Sequence, residues 1–205
     1  MSTGRWNKKL RGLLAAVAIV AVTGLAANGC ATLQEFAALR SVAFSFDRVG
    51  EVRVAGVSLG PTTRFSSLGV ADLARLGSAV ASSNVPLELV AHVRAENPAE
   101  NHVAARMVTV DWRLFIENNE TVAGTLANAI TIPPGQAADV PVAVRFNLYS
   151  LANGGAKDIF ETAIAIAGYG TVVKNLRLEL VPTIESSLGP IRYPAPVVLR
   201  RSVGQ

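Results

Sequence analysis

Beyond residue 40 apolar and polar residues alternate along most of the chain, and a period of two marks strands with one buried face. Val42, Phe44 and Phe46 share a face in the first run, with Ser45 and Asp47 interleaved. Residues 51–59 alternate again and stop at Gly60-Pro61. Further strands are expected over 85–96, ending at Asn97-Pro98, over 103–117 and over 121–132, which ends at the Pro133-Pro134-Gly135-Gln136 turn. In 103–117, Val108, Val110, Trp112, Leu114 and Ile116 share one face, and Asn118-Asn119-Glu120 supplies the reversal after it. Residues 140–148 carry the cleanest alternation, with Val140, Val142, Val144, Phe146 and Leu148 opposite Arg145 and Asn147. Residues 171–180 return to strand, and the proline-flanked runs after Val181 suit sheet edges.

Two segments break the alternation. Val70, Leu73, Leu76 and Val80 are spaced as one face of a short helix over 70–80. Ile159, Phe160, Ala163, Ile164 and Ala167 do the same within 152–167. Seven or eight strands without a βαβ rhythm predict an all-β, antiparallel two-sheet sandwich of fibronectin-III or immunoglobulin type, with one or two short helices in its connections. The expected organisation is a leader over 1–29, a tether over 30–40, the sandwich over 41–199 and a tail over 200–205.

The leader changes the picture most. Arg5, Lys8, Lys9 and Arg11 precede an uncharged apolar run over 13–23, followed by Gly24-Leu25-Ala26-Ala27-Asn28-Gly29-Cys30. A basic end, a short apolar stretch and small residues at the cut are the layout of a secretory signal peptide. A spanning helix would need about 20 consecutive apolar residues. The segment from Leu25 to Cys30 resembles the lipobox of bacterial lipoproteins. The resemblance implies a diacylglycerol thioether on Cys30, cleavage after Gly29 and acylation of the new amine. Gly29 agrees with the family's pattern. Ala27 stands where the family prefers leucine and Asn28 where it prefers a small residue. Two or more acyl chains make a lasting anchor. Ala31 is not aspartate, which by resemblance to lipoprotein sorting implies the outer membrane, facing the periplasm.

Charge and cysteine content fit the same reading. The net charge is +4, but the four leader cations account for it, leaving fifteen basic against fifteen acidic side chains. A neutral body offers little counterion release, so no nucleic-acid partner is expected. Arg200-Arg201 reads as a solvated tail pair. Cys30 is the single cysteine, so no internal disulfide forms.

The order Asn97-Pro98, Val110-Asp111-Trp112-Arg113-Leu114-Phe115-Ile116, Val122-Ala123-Gly124, Ile132-Pro133-Pro134-Gly135 and Val140-Pro141-Val142 is similar to the late embryogenesis abundant type 2 family, the water stress and hypersensitive response domain. Leu178-Glu179-Leu180 and Leu188-Gly189-Pro190-Ile191 look like its last two strands. The resemblance covers residues 41–199 and is strongest over 85–148; the helices over 70–80 and 152–167 depart from it. It implies a natively folded sandwich, association with water stress and no enzymatic activity.

The residues themselves give chemistry little to build on. His92 and His102 lack neighbours at metal-ligand spacing, so no metal site or cofactor is expected. There is no Gly-x-Ser-x-Gly elbow or phosphate-binding loop. Asp111, within an apolar strand, is expected to face water. Glu117-Asn118-Asn119-Glu120 offers oxygens suited to calcium, but reads as a hairpin tip. Gly154-Gly155 after Asn153 reads as a break before a helix. The expected catalytic set is empty, and lipid attachment at Cys30 is the expected site. The partners expected are membrane lipid and an envelope protein. The function expected is a binding module, or one protecting against desiccation or osmotic stress; the alternative is an accessory structural lipoprotein of an envelope transport or assembly complex.

Overall fold

The computed structural model describes residues 41–152, 154–186 and 189–203. The leader, Cys30 and the 30–40 tether lie outside the described residues.

Among the described residues, ten strands form two antiparallel sheets. They are β1 (Ala43–Val54), β2 (Val57–Ser58), β3 (Pro86–Glu96), β4 (Ala105–Ile116), β5 (Asn119–Leu126), β6 (Ile130–Ile132), β7 (Ala137–Asn147), β8 (Lys174–Ser186), β9 (Gly189–Arg192) and β10 (Val197–Val203). One sheet has the order β2-β1-β3-β7. The other has the order β10-β8-β4-β5, with β6 paired to β4 and β9 to β8. The fold is therefore the expected all-β sandwich. Leu87, Leu89, Ala91, Val93 and Ala95 of β3 point inward, as do Val140, Val142, Val144 and Phe146 of β7. Opposite them lie Val110, Trp112, Leu114 and Ile116 of β4 and Leu176, Leu178 and Leu180 of β8. These alternating apolar positions make one continuous core.

Several expectations are corrected. The first two runs are one strand, because β1 absorbs register shifts after Phe46 and after Gly50 and so stays paired to β3 throughout. Its reversal is the two-residue turn Ala55-Gly56, with φ of 48° and 79°, which matches the twist of a tight hairpin. The next hairpin turns at Glu117-Asn118, one residue earlier than expected, since Ile116 pairs with Asn119. Val108 is only half-buried, because a bulge between Met107 and Thr109 shifts the inward face from Ala105 and Met107 to Val110. The run over 121–132 is split into β5 and β6.

Pro182 lies inside β8, an interior strand, rather than at a sheet edge. Its carbonyl accepts the Tyr193 N–H at 2.9 Å, so its backbone polar side faces the gap between β9 and β10. The missing N–H thus costs no bond to β4. Arg200 and Arg201 are not in a tail: β10 runs to Val203, paired with Lys174.

Among the described residues, two α-helices of more than one turn lie at one end of the sandwich, beside Pro86, Asn147 and Lys174. Helix α1 (Val70–Ala81) buries only Leu76 fully; Val70, expected on the same apolar face, is 86% exposed because α1 touches the body along one narrow line. Helix α2 (Ala156–Ile166) packs Ile159, Phe160, Ala163 and Ile164 inward as expected, with Ala167 just beyond its end also buried. It stops at Gly168, whose φ of 81° permits the Tyr169 N–H to reach the Ile164 carbonyl at 3.0 Å.

Candidate functional site

The Asn97-Pro98 step gathers the most local structure. Asn97 is fully buried. Its side-chain amide donates to the Ile132 carbonyl at 2.8 Å and to the Val103 carbonyl at 3.2 Å, and its Oδ1 accepts from the Asn101 amide. Its backbone N–H donates to Gln136 at 2.9 Å, and its carbonyl accepts the Gly135 N–H at 2.8 Å. Gly135 (φ 70°) completes a tight turn that begins at Pro133. Asn97 thus ties the β3–β4 connection to the β6–β7 turn. Its role is architectural. Ser41 Oγ donates to Asn101 Oδ1 at 2.9 Å, so the chain enters the sandwich at this end, opposite the helices.

His92 lies on the outer face of β3, flanked by β1 and β7, yet is only 9% exposed. Its Nδ1 is 2.7 Å from Asp139 Oδ2, with the Arg48 guanidinium 3.4 Å away. Gly50 lies against its Nε2 edge, where a Cβ would come within 3.3 Å. His92 is therefore packed into the sheet surface. His102 sits beyond the end of β3, in the connection to β4, and is exposed. The fold does not join the two histidines. Among the described residues no group of three or more His, Cys, Asp or Glu side chains could hold a metal.

Asp111 faces outward, as expected, and is held by Thr125 Oγ1 at 2.7 Å and Arg192 at 2.9 Å. At the β4–β5 hairpin, Glu117 accepts the Asn175 backbone N–H at 2.9 Å. That bond holds its carboxyl below the usual glutamate range; slight burial opposes the shift, while the Asn175 amide at 3.4 Å and the charge of Lys174 reinforce it. The carboxylate is engaged in clamping β8 to the hairpin rather than free for calcium. Gly155 does precede a helix: its N–H donates to Asp158 at 3.0 Å, capping α2. Asn153 lies outside the described residues.

One cluster escapes sequence reading. On the outer face of β8, the Arg177 guanidinium stacks 3.6 Å from the centre of the Phe115 ring and pairs with Glu179. In β10, Arg200 stands directly opposite Arg177. Only the register brings these residues together, and alternation alone does not fix register. The two short hydrophobic-polar runs were the available signal.

No protein-family model matches the chain, and no curated protein matches it. Among solved structures it is similar to a crystal structure of a protein from Archaeoglobus fulgidus, at 18% identity over 58% of this chain and 86% of that one, with a TM-score of 0.36. A solution structure described as a late embryogenesis abundant (LEA) protein aligns at 14% identity over 95% of this chain and 88% of that one, with a TM-score of 0.43. A solution structure of an Arabidopsis thaliana protein aligns at 13% identity, over 58% and 70%, with a TM-score of 0.39. At such identities and scores these likenesses bear on no activity.

Proposed function

We propose that this chain is a lipid-anchored, non-enzymatic module of the bacterial cell envelope, held at a membrane through acylated Cys30 and facing the periplasm from the outer membrane. The observation that carries this reading is the position of the single cysteine, immediately after Gly29 where a positively led apolar run ends. A link of about ten residues reaches at most roughly 35 Å. The sandwich is therefore kept close to the surface to which Cys30 is fixed. No helix among the described residues is long and apolar enough to cross a membrane.

The sandwich supplies a rigid, non-catalytic body whose loops and outer faces bind partners. The late embryogenesis abundant type 2 resemblance supports a role under desiccation or osmotic stress. Mass spectrometry of the mature amino terminus tests the anchor. We expect a thioether-linked diacylglycerol on Cys30, and loss of membrane partitioning in Cys30→Ser. An intact Met1, or a Cys30→Ser chain that is processed and partitions like the native one, refutes it. Unchanged desiccation and osmotic survival on deletion refutes the protective role alone.

A further inference from the structure

From the outer face of the β10-β8-β4 sheet, we infer that Arg177 and Arg200 form a binding site for an oxyanion, the phosphate or carboxylate group of a small ligand. Other outer-face charges in the sandwich meet across strands as opposites. Glu88 of β3 stands opposite Arg145 of β7, with 3.3 Å between their charged atoms, and opposite Arg53 of β1. Arg113 of β4 stands opposite Glu179 of β8. Arg177 and Arg200 break this rule, because two arginines occupy directly opposed positions in the register. Like charges so placed repel unless an anion lies between them.

The surroundings suit such an anion. Arg177 is only a quarter exposed and is oriented by the Phe115 ring beneath it and by Glu179 beside it. Glu179 pairs with Arg177 and also lies 4.0 Å from Arg113, which has Glu120 at 3.9 Å as well. Among the described residues no carboxylate forms an ion pair with Arg200. A shallow depression of about 300 Å³ lies over the pair, lined also by Arg201, Asn118, Asn175 and Ser202. The Ser202 hydroxyl donates to Asn175 Oδ1 at 2.9 Å and the Asn175 amide reaches Glu117 at 3.4 Å, so the arginines carry the site. Guanidinium groups lining one depression bind tetrahedral or planar oxyanions by charge-assisted hydrogen bonds. The site does not depend on how the chain is anchored.

Thermal unfolding of the full-length chain tests the site, with inorganic phosphate or glutarate titrated against chloride at matched ionic strength. An anion that binds only the folded state raises the melting temperature in proportion to the logarithm of its concentration. We expect that rise in the native chain and in Arg53→Gln, an exposed arginine on the other sheet, and its loss in Arg200→Gln. Without anion, Arg200→Gln should melt at or slightly above the native temperature, since it removes a repulsion. A response to phosphate alone identifies a phosphate ligand, and one to glutarate alone a carboxylate; both support the site. No response to either anion overturns the proposal, as does an equal loss of response in Arg53→Gln.

Discussion

Replacing Asn97 with alanine removes the side chain that joins the β3–β4 connection to the β6–β7 turn. The cost can be worked from its three bonds. The Ile132 carbonyl belongs to a fully buried residue and loses its 2.8 Å donor, so it bears the full penalty of an unsatisfied group, about 1–3 kcal/mol. The Val103 carbonyl, on a half-buried residue, recovers part of its bonding from water and adds roughly 1 kcal/mol. The Asn101 amide lies nearer the surface and adds little. The expected loss is about 3 kcal/mol, measured by urea unfolding followed through Trp112, the one tryptophan beyond the leader. Asn97→Asp sharpens the test. It preserves shape but turns an acceptor toward two carbonyl oxygens, so burial and those oxygens raise the carboxyl's pKa in the folded state. A group whose pKa is raised on folding stabilises below its unfolded pKa, and that contribution disappears as pH rises through the folded one. Asn97→Asp should therefore gain stability relative to Asn97→Ala on acidification, through its protonated form. A loss under about 1 kcal/mol for Asn97→Ala, or a pH-independent difference between the two variants, refutes this account.

Two other outcomes follow from the same structure. Gly124 stands opposite Trp112 in the β4–β5 pair, and a Cβ there would lie 2.5 Å from the indole Cζ2, so Gly124→Ala should cost about 2 kcal/mol by urea unfolding and alter Trp112 emission. Glu117, whose carboxyl is held low chiefly by the Asn175 N–H, contributes stability above the usual glutamate pKa that is lost as pH falls through its lowered folded value; Glu117→Gln should flatten that acid limb in a series of unfolding curves, and an unchanged limb counts against the clamp.

Much of the fold was legible because strict alternation and burial coincide. All five expected apolar positions over 140–148 are buried, four in β7 and Leu148 just beyond it, and α2 turns its expected face inward. The misreadings arise where long-range pairing overrides local pattern. The bulge after Met107 changes which residues of β4 face inward, and Pro182 is tolerated within β8 because its backbone points into the gap between β9 and β10. The Asn97-Pro98 step was visible as a turn, but its partners Val103 and Ile132 are distant in sequence from one another. For the candidate sites the balance reverses. The expectation for Cys30 rests on its neighbours alone, since targeting signals are linear, and falls outside the described residues, whereas Arg177 and Arg200 meet only through the β8–β10 register.

The two ends of the sandwich differ in a way that separates the anchor from the anion site. The chain joins the body at Ser41, against Asn101, so a tether from Cys30 pulls on the Asn97 end. β4 runs from that end to the helical one and β8 runs back, so Arg177 and Arg200 lie only three positions in from the Lys174–Val203 pair that closes the helical end. At about 3.3 Å per residue, the eleven residues of β3 span roughly 36 Å, which sets the distance between the ends. If the chain is anchored through Cys30 as proposed, the arginine pair lies at the end of the sandwich remote from the attachment. This is why the melting experiment and the Cys30→Ser fractionation can fail independently: one tests charge opposed across two strands, the other a thiol at the end of a leader.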